Sequence, residues 1–515
     1  MNLLTIKQAC EWASQYLNKN ISESNISYLI QYGKVKKYKD NGSTSVDIND
    51  LKVYYQSYNG HREIDWKKKL GDDLNWTLSF DNFRESDTTK HVHRLHPYKG
   101  KFIPQLVEYF LDSHTDNFKK INFFKSGDII LDPFSGSGTT LVQANELGMH
   151  SIGVDISRFN SLISEVKLID YEFISLKEKI EEIKKSIFDF EANNKIFLFE
   201  KELNQKISEI NNKYFSIKTT QNDNFGKIKE KEMLFFYNTL VKKYNIELQQ
   251  EKNKTFLDKW YLKDIREEIN FAFEQIKKIK DSKIKKIIAI ILSRTIRSCR
   301  ATTHSDLATL VEPQITPYYC FKHKKICKPL FTIRYWFNRY ADDTYYRLKT
   351  FFNVKTKAFW SSITADSRTV NIFNEIKEKN KSFFEILIKQ KIQGIFTSPP
   401  YVGQIDYHEQ HAYAYDLFGL KRKDELEIGP LYKGQGIEAQ NSYIDGISKV
   451  LINCKKYLTS NPDIFVVAND KYNLYPKIAE KSGLVIIKQF KRPVLNRTEK
   501  DKSPYSEIIF HLKIK

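Results

Sequence analysis

The chain has little of what would make it secreted, membrane-bound or cross-linked. Its five cysteines, Cys10, Cys299, Cys320, Cys327 and Cys454, are odd in number and scattered over 515 residues. That excludes a disulfide scaffold and points to a reducing compartment. The start, MNLLTIKQACEW, has no cationic segment followed by a long apolar stretch, so no signal peptide is expected. The longest aliphatic run, IIAIIL at 287–292, is far too short to cross a bilayer. A soluble, cytoplasmic protein without a membrane partner is the expectation. Acidic residues are also in deficit, with 63 Asp and Glu against 83 Lys and Arg, a formal charge of +20. Codon drift toward Lys, Ile and Asn, at the expense of Ala and Gly, accounts for part of that surplus. The rest suits a polyanionic partner, most commonly nucleic acid.

A chain of this length buries more than one core, so two or three domains are expected. Residues 1–60 read as a small unit. LTIKQACEWASQYL has helical spacing, and SESNISYLIQYGK gives a second helix from a Ser cap to Gly33. Two short strands around Asn41-Gly42 and a closing amphipathic helix, DINDLKVYY, follow. A polar stretch around 60–90 links this unit to the rest. Strands are predicted at 128–132, 151–155, 393–397, 463–468, 484–489 and 506–513, with helical patterns between the first five. Alternation of this kind implies an α/β fold with a mostly parallel sheet, here closed by an antiparallel pair.

More than two hundred residues separate Asp155 from the third strand. Leu176, Ile180, Ile183 and Ile187, then Leu203, Ile207, Ile210 and Tyr214, repeat a four-three-four spacing on either side of ANNK at 192–195. An antiparallel helical hairpin is predicted, read as a solvated spacer with one apolar seam. Residues 290–360 are rich in Arg and aromatics: SRTIRSCRATTH, FTIRYWFNRY, YYRLKTFF. Such residues serve phosphate contact and base stacking, and equally the packing of a helix on a sheet.

Two short motifs carry the chemistry. In LDPFSGSGTT at 131–140 a strand ends at Asp132, and Gly136 and Gly138 let the turn pass close to a ligand. Thr139 and Thr140 open a helix whose N–H groups face that ligand. Asp155, ending the next strand about twenty residues later, is placed to hold two ribose hydroxyls. The second motif, TSPPY at 397–401, also follows a short apolar run. An exocyclic amino nitrogen is a poor nucleophile because its lone pair is delocalised into the ring. Hydrogen bonds from it to Ser398 and to the Pro399 carbonyl favour a pyramidal nitrogen, and Pro399 and Pro400 carry no competing N–H. Tyr401 is suited to stack on a base that has left the helix.

Together the two motifs resemble the amino-group DNA methyltransferases that use S-adenosylmethionine, and Ser398 resembles the type that methylates cytosine N4. The resemblance covers roughly 90–165 and 360–515, with the target-recognition segment in the middle. It implies a Rossmann-like methyltransferase sheet with a long helical insertion. It also implies that Asp132, Pro133, Phe134, Ser135, Gly136, Gly138, Thr139 and Asp155 surround the cofactor. Lys101 and Phe102, in HPYKGKF, would lie at its methionine end, and Asp366, in TADSRT, would meet the adenine amino group. The catalytic set is Ser398, Pro399, Pro400 and Tyr401. The N-terminal unit is similar to excisionase-type winged helices, which the minimal family enzyme lacks, and DNA contact is expected there.

The expected domains are therefore 1–60, 61–165, 166–360 and 361–515. The implied substrate is double-stranded DNA with the target base flipped out, and the implied partner is a cognate restriction endonuclease. Adenine N6, methylated by the same machinery, is the alternative target, although there the first motif position is more often Asp or Asn than Ser. A DNA-binding regulator with an inactive core is the alternative of another class. No Pro-Cys pair occurs, which excludes the thiolate route to carbon-5 methylation. No resident metal is expected: Cys320, His323 and Cys327 supply three donors where a structural zinc site takes four, so they read as a packed turn. HEQH at 408–411 lacks the His spacing of a zinc-protease helix, and its residues are expected to orient the catalytic loop or touch DNA.

Overall fold

The computed structural model describes the whole chain except residues 1, 19, 32–34, 41–42, 81–82, 117, 193, 216–222, 248–254, 304–311, 330–331 and 496–503. The described residues divide into two compact units. One comprises 1–88 with 466–473 and 486–511, and the other holds the remainder.

In the first unit the helix Ile6–Tyr16 is opened by a capping box. Thr5 Oγ1 accepts from the Gln8 N–H, and the Gln8 side chain accepts from the Thr5 N–H. The helix Glu23–Gln31 follows. Three short strands, β1 (Leu3–Thr5), β2 (Tyr38–Asp40) and β3 (Ser43–Asp47), form an antiparallel sheet in the order β1-β3-β2. Ala9, Ala13, Ile26, Leu29, Val46 and Leu51 form its core. Two helices followed by a strand pair agree with the sequence reading, although Gly33 and the Asn41-Gly42 turn lie outside the described residues. The closing helix departs from that reading. It runs from Ile48 to Leu70, through the boundary expected at 60 and into the stretch read as a linker.

The central sheet has seven strands. They are β4 (Ile129–Asp132), β5 (His150–Asp155), β8 (Trp360–Thr364), β9 (Ile392–Thr397), β10 (Leu458–Ala468), β11 (Leu484–Pro493) and β12 (Ser506–Ile514). A separate two-stranded hairpin in the insertion supplies β6 (Tyr318–Cys320) and β7 (Lys325–Cys327). The sheet order is β11-β12-β10-β9-β4-β5-β8, and β9, β4, β5 and β8 are mutually parallel. β4 is buried along its whole length, as its unbroken apolar run requires. β8 was not expected from sequence. WSSIT offers two serines and a threonine instead of an apolar run, and it pairs only with β5 at the sheet margin.

The helical insertion begins with Phe173–Ala192 and Lys195–Tyr214, broken where ANNK predicted. Leu176, Ile180, Ile183, Ile187, Leu203 and Ile210 are all buried in one large apolar cluster, with Ile207 and Tyr214 packed against it. The seam is thus part of a core and not a solvated spacer. Several arginines of the following segment are engaged internally. Arg294 donates to Asp343 at 2.7 Å and lies 4.1 Å over the Tyr340 ring. Arg347 donates to Asp343 and to the carbonyls of Thr89 and His91, and Arg334 pairs with the buried Glu191. For these side chains the packing reading describes what is found. No described helix is long and apolar enough to cross a membrane.

Candidate active site

Because β9, β4, β5 and β8 run parallel, their carboxyl ends lie along one edge of the sheet, where ligands of open α/β sheets bind. The loops leaving those four ends meet around one cavity of about 900 Å³, open mouth included.

The loop after β4 is shaped by its two glycines. Gly136 has φ +46, and a Cβ there would lie 2.8 Å from the Tyr98 hydroxyl. Gly138, at φ +76, caps the helix Thr139–Glu146, and a Cβ would lie 2.8 Å from Ser164 Oγ. Hydrogen bonds fix the rest. Asp155 accepts from the Gly136 N–H (2.9 Å), the Ser157 N–H (2.8 Å) and Asn160 Nδ2 (3.1 Å). Ser164 Oγ donates to the Gly136 carbonyl, and Lys167 Nζ to that of Ser137. Asp132 accepts from the Phe134 N–H and, at 2.6 Å, from Thr397 Oγ1, which ties the root of the SPPY loop to the end of β4. Ser367 Oγ donates to the Pro133 carbonyl and brings in the loop after β8.

Of the residues singled out by sequence, Lys101, Phe102, Asp132, Pro133, Phe134, Ser135, Gly136, Thr139, Asp155, Asp366, Ser398 and Pro400 line this cavity. Gly138, Pro399 and Tyr401 do not: Gly138 faces Ser164, Pro399 is buried, and Tyr401 is half-buried outside the lining. The lining also includes residues that sequence reasoning did not name. Tyr98 comes from the same HPYKGKF segment as Lys101, and its ring stacks on Tyr407 at 5.9 Å. Ser157 and Asn160 follow Asp155 in the chain, whereas Leu426, Glu427 and Ile428 come from a loop without a recognisable motif. His408 was noted in HEQH. It is buried and pairs through Nδ1 with Glu427, whose Oε1 also accepts the His408 N–H.

Burial sets the charges. It raises the Asp132 carboxyl to about 6, against the hydrogen bonds from Thr397 and Phe134 that oppose the rise. Asp155 is also raised by burial. Burial would raise Asp366 as well, but the Arg368 guanidinium, 2.7 Å away, holds it below the usual carboxylate range. Burial, with help from Arg94 and Arg347, brings Lys101 down to about 8. Its ammonium donates to the His93 carbonyl. The cavity thus has one lysine at one wall, an unusually basic carboxyl at its floor and two further carboxyls at the ends of β5 and β8. Ser135 Oγ, Ser137 Oγ and Asn160 Oδ1 are buried there without a hydrogen-bond partner. Such atoms in a lined cavity are what a polar ligand satisfies.

A family model described as a DNA methylase matches residues 7–165. Over nearly its whole length the chain is similar to the type II methyltransferase M.MjaII of Methanocaldococcus jannaschii. The two are 50% identical over 525 residues, covering 99% of this chain and 97% of that protein. The chain belongs to the type II DNA methyltransferases. Shorter similarities join it to other type II methyltransferases. M.MvaI of Kocuria varians is 29% identical over 119 residues, 23% of this chain and 25% of that protein. M.BsoBI of Geobacillus stearothermophilus is 33% identical over 89 residues, 17% of this chain and 16% of that protein. A methyltransferase of this family needs a methyl donor and a DNA base in one site. The four loops described above converge on one cavity.

Proposed function

We propose that this methyltransferase transfers a methyl group from S-adenosylmethionine to the N4 amino group of a cytosine flipped out of double-stranded DNA. The observation that carries the proposal is Ser398 lining the same cavity as the Gly136 turn and the Asp155 and Asp366 carboxyls. The unpartnered Ser135 and Ser137 hydroxyls and Asn160 amide oxygen, beside the Asp155 and Asp366 carboxyls, suit a nucleoside with an amino-acid tail. Asp155 would hold the ribose hydroxyls, Asp366 the adenine amino group, and Lys101 the carboxylate at the methionine end, with Phe134 against the base. When bound, the donor supplies an electrophilic sulfonium methyl.

The chain's own work is positioning. Ser398 and the Pro399 carbonyl accept the amino hydrogens and favour a localised lone pair on nitrogen. Tyr401 stacks on the extruded base, and the amino proton leaves to solvent or through Ser398 Oγ. The N-terminal unit, with two helices and a strand pair, contacts the duplex, and the enzyme serves as the modification half of a restriction system. Adenine N6 with the same machinery is the second reading; Ser at position 398 favours cytosine through the resemblance to N4 enzymes. The test is incorporation of labelled methyl into duplex DNA by purified protein, with thermal stabilisation by S-adenosylmethionine alone. Stabilisation with incorporation supports the proposal. DNA binding without either would identify a regulator built on an inactive core.

A further inference from the structure

The β6–β7 hairpin lies in the helical insertion, away from the residues that line the cavity, and its two faces differ in kind. Its register pairs Tyr318 with Cys327, Tyr319 with Ile326 and Cys320 with Lys325. Side chains alternate along a strand, so Tyr319 and Ile326 share one face while Tyr318, Cys320 and Cys327 share the other. The first face belongs to the large helical core. Asn211 secures it by pairing its amide with both the N–H and the carbonyl of Ile326, at 3.0 and 2.9 Å, and Glu230 accepts from the Tyr319 N–H. The second face forms a separate buried cluster of just Tyr318, Cys320 and Cys327. Three residues are a small apolar contribution, and a hairpin this short is marginal without further support.

The turn Phe321–Lys324 brings His323 back over that second face. Cys327 Sγ and His323 Nδ1 are 3.6 Å apart, and a donor atom from each of Cys320, His323 and Cys327 lies within 4.8 Å of the other two. We propose that Cys320, His323 and Cys327 bind a zinc ion that staples this hairpin. Zn–S and Zn–N bonds of about 2.3 and 2.05 Å at a tetrahedral angle put sulfur and nitrogen about 3.6 Å apart. The observed Cys327–His323 separation matches one edge of such a site, and the third donor lies within 4.8 Å of both. Thiolates and imidazole select zinc over magnesium or calcium, and two thiolates with a neutral imidazole cancel the ion's charge. Binding releases the two thiol protons to solvent. Among the described residues the cluster contains no fourth Cys, His, Asp or Glu. A fourth ligand, such as water or an exchangeable group, has access beside the exposed His323.

A second group of donors, His91, His93 and Glu146, shows what an unsuitable site looks like. There Lys90 Nζ already stands 2.8 Å from Glu146, and the Lys167 and Lys101 ammoniums act on His93. An added cation would face three lysines. At the hairpin the ammonium of Lys325, opposite Cys320, acts on Cys327.

The test is metal analysis of the full-length protein, purified in reductant, incubated with zinc and dialysed. The expected result is about one zinc per chain, with a thiolate-to-metal charge-transfer band after cobalt exchange. Cys320→Ser and Cys327→Ser should each lower retained zinc at least about tenfold, while Cys10→Ser, in the other unit, should retain it. Should the hairpin variants fail to fold, the wild-type protein still decides. A chelator should raise the number of thiols open to a disulfide reagent by about two. Wild-type protein holding less than about a tenth of an equivalent of zinc overturns the proposal, as does a Cys320–Cys327 disulfide or full zinc retention in both hairpin variants.

Discussion

The loop after β4 is held from nearly every side, while the loop after β9 is tied at its root and again at Gly403, with Ser398, Pro400 and Tyr401 half-buried in between. In the first, two positive-φ glycines are pressed against Tyr98 and Ser164, and Asp155, Ser164 and Lys167 fix the backbone polar groups. In the second, Thr397 is tied to Asp132, but Ser398, Pro400 and Tyr401 are only partly buried. A loop that surrounds a cofactor is best pre-formed, because any ordering on binding lowers affinity. A loop proposed to admit a flipped base gains rigidity from covalent structure, and two successive prolines restrict its backbone through their own rings. The difference teaches where each residue type is replaceable. Changes in the first loop should act through structure and affinity, and changes in the second through turnover.

Four experiments would break or sharpen that contrast. Ser398→Ala should lower kcat by about a hundredfold or more, the size of losing one positioned hydrogen-bond partner in a transition state. Donor affinity by calorimetry should be unchanged, and a lost affinity would place Ser398 in the wrong half of the comparison. Gly138→Ala should lower stability by about 2–4 kcal/mol, from a strained φ and the contact with Ser164, seen as a lower Tm. Asp155→Ala should weaken donor binding by about ten- to a hundredfold, since it removes a charged acceptor of two hydroxyls.

The smallest effect expected is on pH. Lys101 is charged below about 8 and Asp132 above about 6, so both are charged only between those values. Donor affinity should fall as pH rises through about 8, where the lysine loses its charge, and as pH drops through about 6, where Asp132 is protonated. The change should not exceed about tenfold per pH unit on either side. Lys101→Met should flatten the alkaline limb alone.

Much of this site was legible because its two central motifs are contiguous. Gly136, Gly138 and Asp155 announce a strand–turn–helix with an acidic neighbour, and Ser-Pro-Pro-Tyr announces a strand end. What escaped the sequence was assembled by folding. Tyr98, His408 and Glu427 come together from three segments with no shared spacing, and Glu427 looked like any acid in a loop. β8 escaped because its serines are paid in backbone pairing and not in apolar pattern: it aligns with β5 from Trp360 to Thr364. The arginines of 290–360 were ambiguous for a physical reason. A guanidinium over an aromatic ring looks the same in sequence whether its partner is a base or Tyr340.

The central claim, amino methylation at cytosine, is tested most directly by mass spectrometry of nucleosides from duplex DNA incubated with the protein and S-adenosylmethionine. N4-methylcytosine is the result expected. N6-methyladenine would contradict the reading of Ser398 while leaving the methyltransferase site intact, and DNA of broad sequence content with no methylated base would contradict the proposed reaction itself.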